Sequence, residues 1–545
     1  MGQRKHTTVR PNRGRSDREY RKELLSKERG SVLLKKGAPV RVALVYPNLY
    51  RIGMANLGFQ TVYRLFNDHP EVRCERVFVS EPSSDREFRT LESEEHLSRF
   101  DMVGFSFSFE LDFFNILGVL KGMRIPLLSQ DRTEKDPLII VGGAVAGINP
   151  SPLLPFVDGL LVGEGEGAIP KIGNVLFRLS QQKTGREEKL HELMHVEGMY
   201  IPGLHTTVKR HVLPSLESYP TYTPIVTPLS HFDTMFIVEV ARGCTRGCLF
   251  CAAQKVYYPY RFRSCESLVE TVARHNPGAQ RVGLESAGLS DYPALESLCE
   301  TLISMGYKIS FSSIRADRVT PELIKLLELG KVRSLAVAPE AGSEKLRMCI
   351  GKKTNNDTLR EAACLLGDSV VDVLKLYFLI GLPGEKESDV HAISDLVQNM
   401  ASLYLKDKRK RLRVSINAFV PKAFTEYQWA PMDRESELNR KRKMIMQRLR
   451  GKDRIAVIAK SSRQEILQGV LSLGDANVGL ALMHAFENKI PWKRAMKERN
   501  IDMDSLLHCE KPFDSRLPWD FIETSISKER LWNRYLSHKE KDNTS

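Results

Sequence analysis

Short apolar runs ending in glycine or proline recur along the chain in two separate series, and this pattern limits the possible folds more than any other feature. Four such runs lie in residues 39–175: VRVALVYP (40–47), DMVGFSFS (101–108), PLIIVGG (137–143) and FVDGLLVGEGE (156–166). They are near-continuous rather than alternating, as expected of strands buried on both faces of a parallel sheet. Helix-like stretches intervene, for example 58–67 and 113–123. The first series therefore predicts a doubly wound α/β sheet, whose ligands sit at the carboxyl ends of its strands. Those ends include Gly142-Gly143-Ala144 and Gly163-Glu164-Gly165-Glu166.

Residues 176–230 interrupt the rhythm with a Lys/Glu-rich helical stretch and a Pro-rich passage, the composition of a linker. A second series of six runs follows at 236–243, 281–288, 308–317, 334–343, 373–385 and 413–421. Amphipathic helices at 321–329 and 355–366 separate some of them. Six β/α units are too few for a closed eight-stranded barrel and suffice for a partial, TIM-like one over 231–430. Residues 431–545 are charged and without runs of comparable strength, which predicts a helical C-terminal region.

The first run of the second series leads straight into Cys244-Thr245-Arg246-Gly247-Cys248-Leu249-Phe250-Cys251, a C-x3-C-x2-C loop. Structural zinc sites and fully ligated 4Fe-4S clusters take four protein ligands, so three thiolates suggest a metal centre with one position open to a small molecule. The competing reading adds Cys265 as a fourth thiolate and makes a zinc site, which with the basic N-terminus would suit a nucleic-acid-binding protein.

Composition narrows the setting. No run of eighteen uncharged apolar residues predicts a membrane span, and no apolar signal core opens the chain, so a cytoplasmic location is expected. Nine irregularly spaced cysteines do not form a disulfide framework. Of the formal net charge of +14, +8 falls in residues 1–40, which predicts a disordered basic leader over 1–38. That leader could hold RNA phosphates by charge or simply be solvated. Two more basic runs, 406–413 and 440–454, are expected on exposed helix or loop.

The strand ends of the second series should converge on the cysteine loop. They carry Glu285, Ser286 and Gly288; Ser312, Ser313, Arg315 and Asp317; Glu340, Gly342 and Ser343; and Gly381-Leu382-Pro383-Gly384-Glu385. Such a set could grip a cofactor with amine, carboxylate, ribose and base, or could be ordinary helix-capping loop residues.

With its aromatic before the last cysteine, its six units and its Gly-Leu-Pro-Gly-Glu strand end, the stretch 232–425 resembles the radical S-adenosylmethionine (SAM) enzymes. The preceding sheet, through Gly142-Gly143 and Val162 to Glu166, is similar to the cobalamin-binding domain of one branch. Tyr258-Pro259-Tyr260-Arg261-Phe262-Arg263-Ser264 and Ala338 to Arg347 resemble a group within that branch. The resemblance implies that Cys244, Cys248 and Cys251 hold a 4Fe-4S cluster whose fourth iron chelates SAM, and that reductive cleavage yields a 5′-deoxyadenosyl radical. It implies roles for Phe250 near the adenine, for Ser312 and Arg315 near the ribose or carboxylate, and for Gly381, Leu382, Pro383 and Glu385 along the adenine edge. Glu285 with Ser286, and Glu340, are its candidates for the methionyl amine; Gly142, Gly143, Gly163 and Glu164 are its candidates for cobalamin. An electron donor such as flavodoxin or ferredoxin is implied as partner, and C-methylation as the reaction.

There are departures from the family's pattern. Its glycine-rich second-strand motif reads Glu285-Ser286-Ala287-Gly288 here, and the N-terminal sheet has no Asp-x-His-x-x-Gly segment; its histidines, His69 and His96, lack that context. A methylthiotransferase-like activity on RNA or ribosome is the enzyme alternative. That class carries further N-terminal cysteines, and this chain has Cys74 alone before Cys244. In the C-terminal region Asp475, Asn477 and His484 suit capping or the surface as well as contact with a substrate.

Overall fold

The structure, a computed structural model, describes residues 17–79, 87–182 and 184–543. Its first unit is a six-stranded sheet in the order β2-β1-β3-β4-β5-β6, formed by β1 (Val40–Tyr46), β2 (Val72–Phe78), β3 (Met102–Ser106), β4 (Leu138–Gly142), β5 (Gly159–Leu161) and β6 (Met199–Tyr200). The first five strands run parallel and β6 returns antiparallel. The order reverses between β1 and β3, so the crevice for a ligand opens at their carboxyl ends. Helices Leu57–Asp68 and Ile169–Gln182 cover one face, and Phe113–Gly122 covers the other.

Strand β2 has no counterpart in the sequence reading, because Arg73, Glu75 and Arg76 disguise it. Their charges are matched inside the fold. Arg76, 2% exposed, lies between Glu28 and Glu92 at 2.8 and 2.7 Å, and Arg73 pairs with Glu75 at 2.7 Å. Glu28 brings the leader into the core, which corrects the expected disorder of 1–38 from residue 17 onward. Asp17–Ser26 is a helix that buries Leu24, and the backbones of Arg29 and Val226 exchange two hydrogen bonds. Gly30, at φ +88°, approaches Pro224 so closely that a Cβ would stand 2.2 Å from its carbonyl oxygen. The more basic residues 1–16 lie outside the described residues.

The second unit is the expected open barrel. Its strands are β7 (Met235–Glu239), β8 (Arg281–Glu285), β9 (Lys308–Phe311), β10 (Ser334–Glu340), β11 (Val373–Ile380), β12 (Arg411–Ala418) and β13 (Ile455–Ala459). They form a three-stranded and a four-stranded parallel sheet, linked where the Ile314 amide donates to the Ala336 carbonyl at 3.0 Å. Strand β13 is a seventh, beyond the six expected, in a region otherwise read as helical. Its short apolar run is hidden behind the basic stretch 440–454. Along β11 the even positions Leu374, Leu376, Phe378 and Ile380 are fully buried, while Lys375, Tyr377 and Leu379 turn to the barrel interior.

The C-terminal helices join the two units. The Asn149 side chain donates to the carbonyls of Ser472 and Gly474 at 3.1 and 2.8 Å, and Ser151 donates to that of Pro518 at 2.6 Å. Asp475 caps the helix Ala476–Asn488, and His484 pairs with Glu498 at 2.9 Å; both are structural roles. No helix among the described residues is long and apolar enough to cross a membrane.

Removing the Arg76 guanidinium would leave Glu28 and Glu92 buried without a countercharge, so Arg76→Met is expected to cost about 3–5 kcal/mol. Replacing Glu28 and Glu92 by Gln in the same chain should restore part of that loss. Denaturant unfolding of the three proteins measures both effects.

Candidate active site

The cysteine loop leaves the carboxyl end of β7 and is fixed on several sides. Its stems pair antiparallel, Arg242 opposite Arg261 and Ala241 opposite Phe262. Beneath it, the Leu249 amide donates to the Ile350 carbonyl at 3.1 Å. Gly351, at φ +77°, approaches so closely that a Cβ would lie 2.5 Å from the Gly247 oxygen. Behind it, Glu426 is fully buried between Lys255 at 2.8 Å and Arg534 at 2.6 Å, and Arg534 also donates to the Gly247 carbonyl at 3.3 Å. The C-terminal helix is therefore part of the mount of the loop.

Cys244, Cys248 and Cys251 face one another closely enough to interact electrostatically. Burial pushes the Cys248 thiol up to about 12, against the pull of the nearby Lys352 ammonium, and burial raises Cys251 as well. Metal ligation takes the thiolate, so a bound centre replaces protons that this setting otherwise retains. Among the described residues no trio of His, Cys, Asp or Glu is drawn together tightly enough to grip one ion; a cubane cluster spaces its thiolates more widely than a single ion does. Cys265 does not join them. It opens the helix Cys265–His275 beside Tyr292 and Cys299, away from the set expected for zinc.

The other expected residues divide into two groups. Glu285, Ser286 and Glu340 lie at the site. Glu285 stands opposite Glu239 in register and is exposed into a cavity. Desolvation, with the Glu239 carboxylate adding to it, raises its pKa to about 7. Ser286 accepts from the Gly288 amide at 3.1 Å, and Ser312 donates to the Ser286 carbonyl at 3.2 Å. Glu340, at φ +72°, pairs with Lys352 at 3.3 Å beside Cys248. Phe250 packs at the edge of the core.

The second group is engaged by other protein residues. Arg315 bridges Asp291 and Asp317, and Asp291 also accepts from Thr245 of the loop at 2.6 Å. Glu385 turns inward to the Gly381 amide and Lys441, both at 2.7 Å, and Leu382 is core. Pro383 is half-buried in the same turn. Three site residues carry little signal in the sequence. Asp291, Lys352 and Glu426 lie outside the strand ends, and only tertiary packing brings them to the loop.

A cavity of about 600 Å³ connects this site to the first unit. One wall is Gly243, Tyr257, Glu285 and Ala287; the opposite wall is Gly142, Gly143 and Gly163. From there it runs down between the sheet and its helices as a slot lined by Leu44, Leu65, Phe66, Met102, Ile140 and Leu161, with Gly104 at its side. Gly143 (φ +103°) and Gly163 (φ +113°) stand where a Cβ would meet the Phe107 and His211 backbones, at 2.7 and 2.2 Å respectively. Glu164 borders the cavity, but its carboxylate is taken by Arg261 at 2.6 Å, Arg242 at 3.3 Å and the Leu213 amide at 2.7 Å.

A cysteine-bearing loop at the carboxyl end of an open barrel defines the class. Residues 238–397 match the family described as Radical SAM superfamily, and residues 58–202 match Radical SAM proteins, N-terminal. The chain belongs to the radical SAM superfamily and is an enzyme; such enzymes work with a 4Fe-4S cluster and SAM. The uncharacterized protein MJ0966 of Methanocaldococcus jannaschii is 28% identical over 467 residues, spanning 85% of this chain and 95% of that one. The ribosomal protein uS12 methylthiotransferase RimO of Thermotoga petrophila is 27% identical over 176 residues, 30% of this chain and 41% of that protein. Among solved structures, the cobalamin-dependent S-adenosylmethionine radical enzyme OxsB, with aqua-cobalamin and S-adenosylmethionine bound, aligns with TM-score 0.47 and 15% identity over 93% of this chain and 80% of its own. The radical S-adenosylmethionine methyltransferase TsrM from Kitasatospora setae, with cobalamin and a 4Fe-4S cluster bound, aligns with TM-score 0.46 and 12% identity over 69% of this chain and 74% of its own.

The raised pKa of Glu285 has a definite linkage sign. Between the ordinary carboxylate value and about 7, the folded chain retains a proton that the unfolded chain has lost, so its contribution lowers stability as pH rises through that window. The ligand-free stability of the wild type should fall more steeply over that range than that of Glu285→Gln, as read from urea midpoints at several pH values.

Proposed function

We propose that this protein is a cobalamin-dependent radical SAM enzyme that methylates an unactivated carbon. The observation that carries the reading is the cavity. An apolar slot of this kind left empty between a sheet and its helices forfeits packing and is destabilising unless something fills it. Its lining suits a macrocycle with a nucleotide tail: glycines at the strand ends, then apolar side chains beside Gly104. The mouth opens on Gly243, next to Cys244, so a cofactor seated there would border the radical centre.

In this reading Cys244, Cys248 and Cys251 hold the cluster. The Glu285 and Glu340 carboxylates are suited to the methionyl ammonium, and the Lys352 ammonium offsets negative charge beside Cys248. The apolar walls exclude water from a reactive radical. When bound, the cluster supplies the electron that cleaves SAM, and cobalamin supplies the methyl-transfer chemistry. Among the described residues no histidine lines the cavity: His69 is turned to Asn174 at 2.9 Å, and His96 caps a turn at Ser98.

A methylthiotransferase reading is less well supported. It calls for an auxiliary cluster in the first unit, and Cys74 is fully buried in β2, where its backbone pairs with Asn67.

Anaerobic reconstitution should give about four irons and four sulfides per chain, and replacing all three loop cysteines by Ala should abolish them. Zinc in place of iron, with no reductive formation of 5′-deoxyadenosine, would contradict the reading. Gly104→Val projects methyl groups into the slot. It should weaken cobalamin binding about ten-fold or more while iron content stays unchanged, as measured by absorbance titration.

A further inference from the structure

On the interior face of the four-stranded sheet, one row runs Ala336, Lys375, Arg413 and Ala456 in direct register. Two cations therefore stand side by side on neighbouring strands, flanked by alanines whose short side chains offer them no polar partner. Like charges directly opposite one another are destabilising, and no acid compensates here. Among the described residues neither Lys375 nor Arg413 makes an ion pair or a side-chain hydrogen bond, and the charged group acting on the Lys375 ammonium is Arg413. Asp372, the nearest acid along β11, is engaged with Arg333 at 3.7 Å.

The basic run 406–413 is thus not a uniform solvated face. Lys410 is buried, donating to the carbonyls of Leu366, Ser369 and Val371, and Arg409 pairs with Asp407 at 2.8 Å. Arg413 is exposed on the face opposite the fully buried Leu412 and Val414, the face that Lys375 shares. One row nearer the cysteine loop, Tyr377 and Ser415 stand opposite each other, with hydroxyls that no described residue engages.

We propose that Lys375 and Arg413 form an anion subsite that binds a phosphate group of the substrate inside the barrel, with Tyr377 and Ser415 lining the path toward the radical centre. This deepens the proposed function and rests on it, since the barrel interior is taken as the substrate site. The pair lies six residues below the Gly381 strand end. At about 3.3 Å per residue on tilted strands, the bound phosphate would sit roughly 15 Å along the barrel axis from the carboxyl-end level where chemistry occurs. The substrate is then an extended, phosphate-bearing molecule rather than a small neutral one.

The test uses the full-length, cluster-reconstituted protein and tripolyphosphate as probe, with affinity read by calorimetry at two salt concentrations. Wild type should bind it, more weakly at high salt. Lys375→Gln and Arg413→Gln should each lose about ten-fold or more in affinity, and Lys375→Arg should retain it. Competition by a short single-stranded RNA, lost in the same variants, would identify the phosphate as a phosphodiester; competition by a sugar monophosphate instead would identify a small metabolite. Wild type that does not bind tripolyphosphate, or Gln variants that bind as wild type does, would overturn the proposal. Iron content is measured on the same samples. A chain that assembles no cluster fails the enzyme reading, whereas a cluster-bearing chain with indifferent variants fails only this one.

Discussion

The site depends on a buried charge network that binds the two units of the chain to each other. Arg242, two residues before Cys244, reaches Glu166 and Glu239 at 2.6 Å and Glu164 at 3.3 Å; Arg261, on the other stem of the loop, reaches Glu164 at 2.6 Å. All five side chains are at most 14% exposed. Buried charges are tolerated only when paired with good geometry, and removing one partner is far more costly than the pair is beneficial. The network therefore fixes one arrangement. The strand end after β5 must face the stems of the cysteine loop, and the cavity between them exists because that contact is made.

Around this link the remaining parts have separate tasks. The three-stranded half of the barrel places Glu239 and Glu285 side by side above the cavity; Arg242 neutralises the first, leaving the second as the open carboxylate. The other half brings Glu340, Lys352 and the Gly351 backbone under the loop. The C-terminal helix supplies Arg534 from behind, so a region without recognisable motifs still holds the cysteine loop in place. The Lys375–Arg413 row lies at the far end of the same barrel.

The parts of the fold that rest on apolar periodicity were legible in the sequence. Four strands of the first sheet and six of the barrel follow from runs that bury one or both faces. Strand β2 was not, because its charges are matched only by tertiary partners, and β13 was hidden by the basic stretch before it. At the site, the cysteines and Glu285 were legible because strand order puts them at carboxyl ends. Glu164 and the Tyr-Pro-Tyr-Arg-Phe-Arg segment were also visible, but as separate motifs. Their direct contact, Glu164 with Arg261, is a pairing across 97 positions that one sequence does not reveal. Arg315 and Glu385 stand where expected and are engaged by Asp291, Asp317 and Lys441, since a polar residue at a strand end serves a loop as readily as a ligand.

The central claim is that the cysteine loop and the cavity of the first sheet form a single reaction chamber. Pulsed electron paramagnetic resonance on one chain carrying both a reduced cluster and cob(II)alamin tests it most directly. A resolved dipolar coupling between the two paramagnetic centres, lost when Gly104→Val excludes the cofactor, is the predicted result. Two independent spectra from a doubly loaded chain would contradict the account.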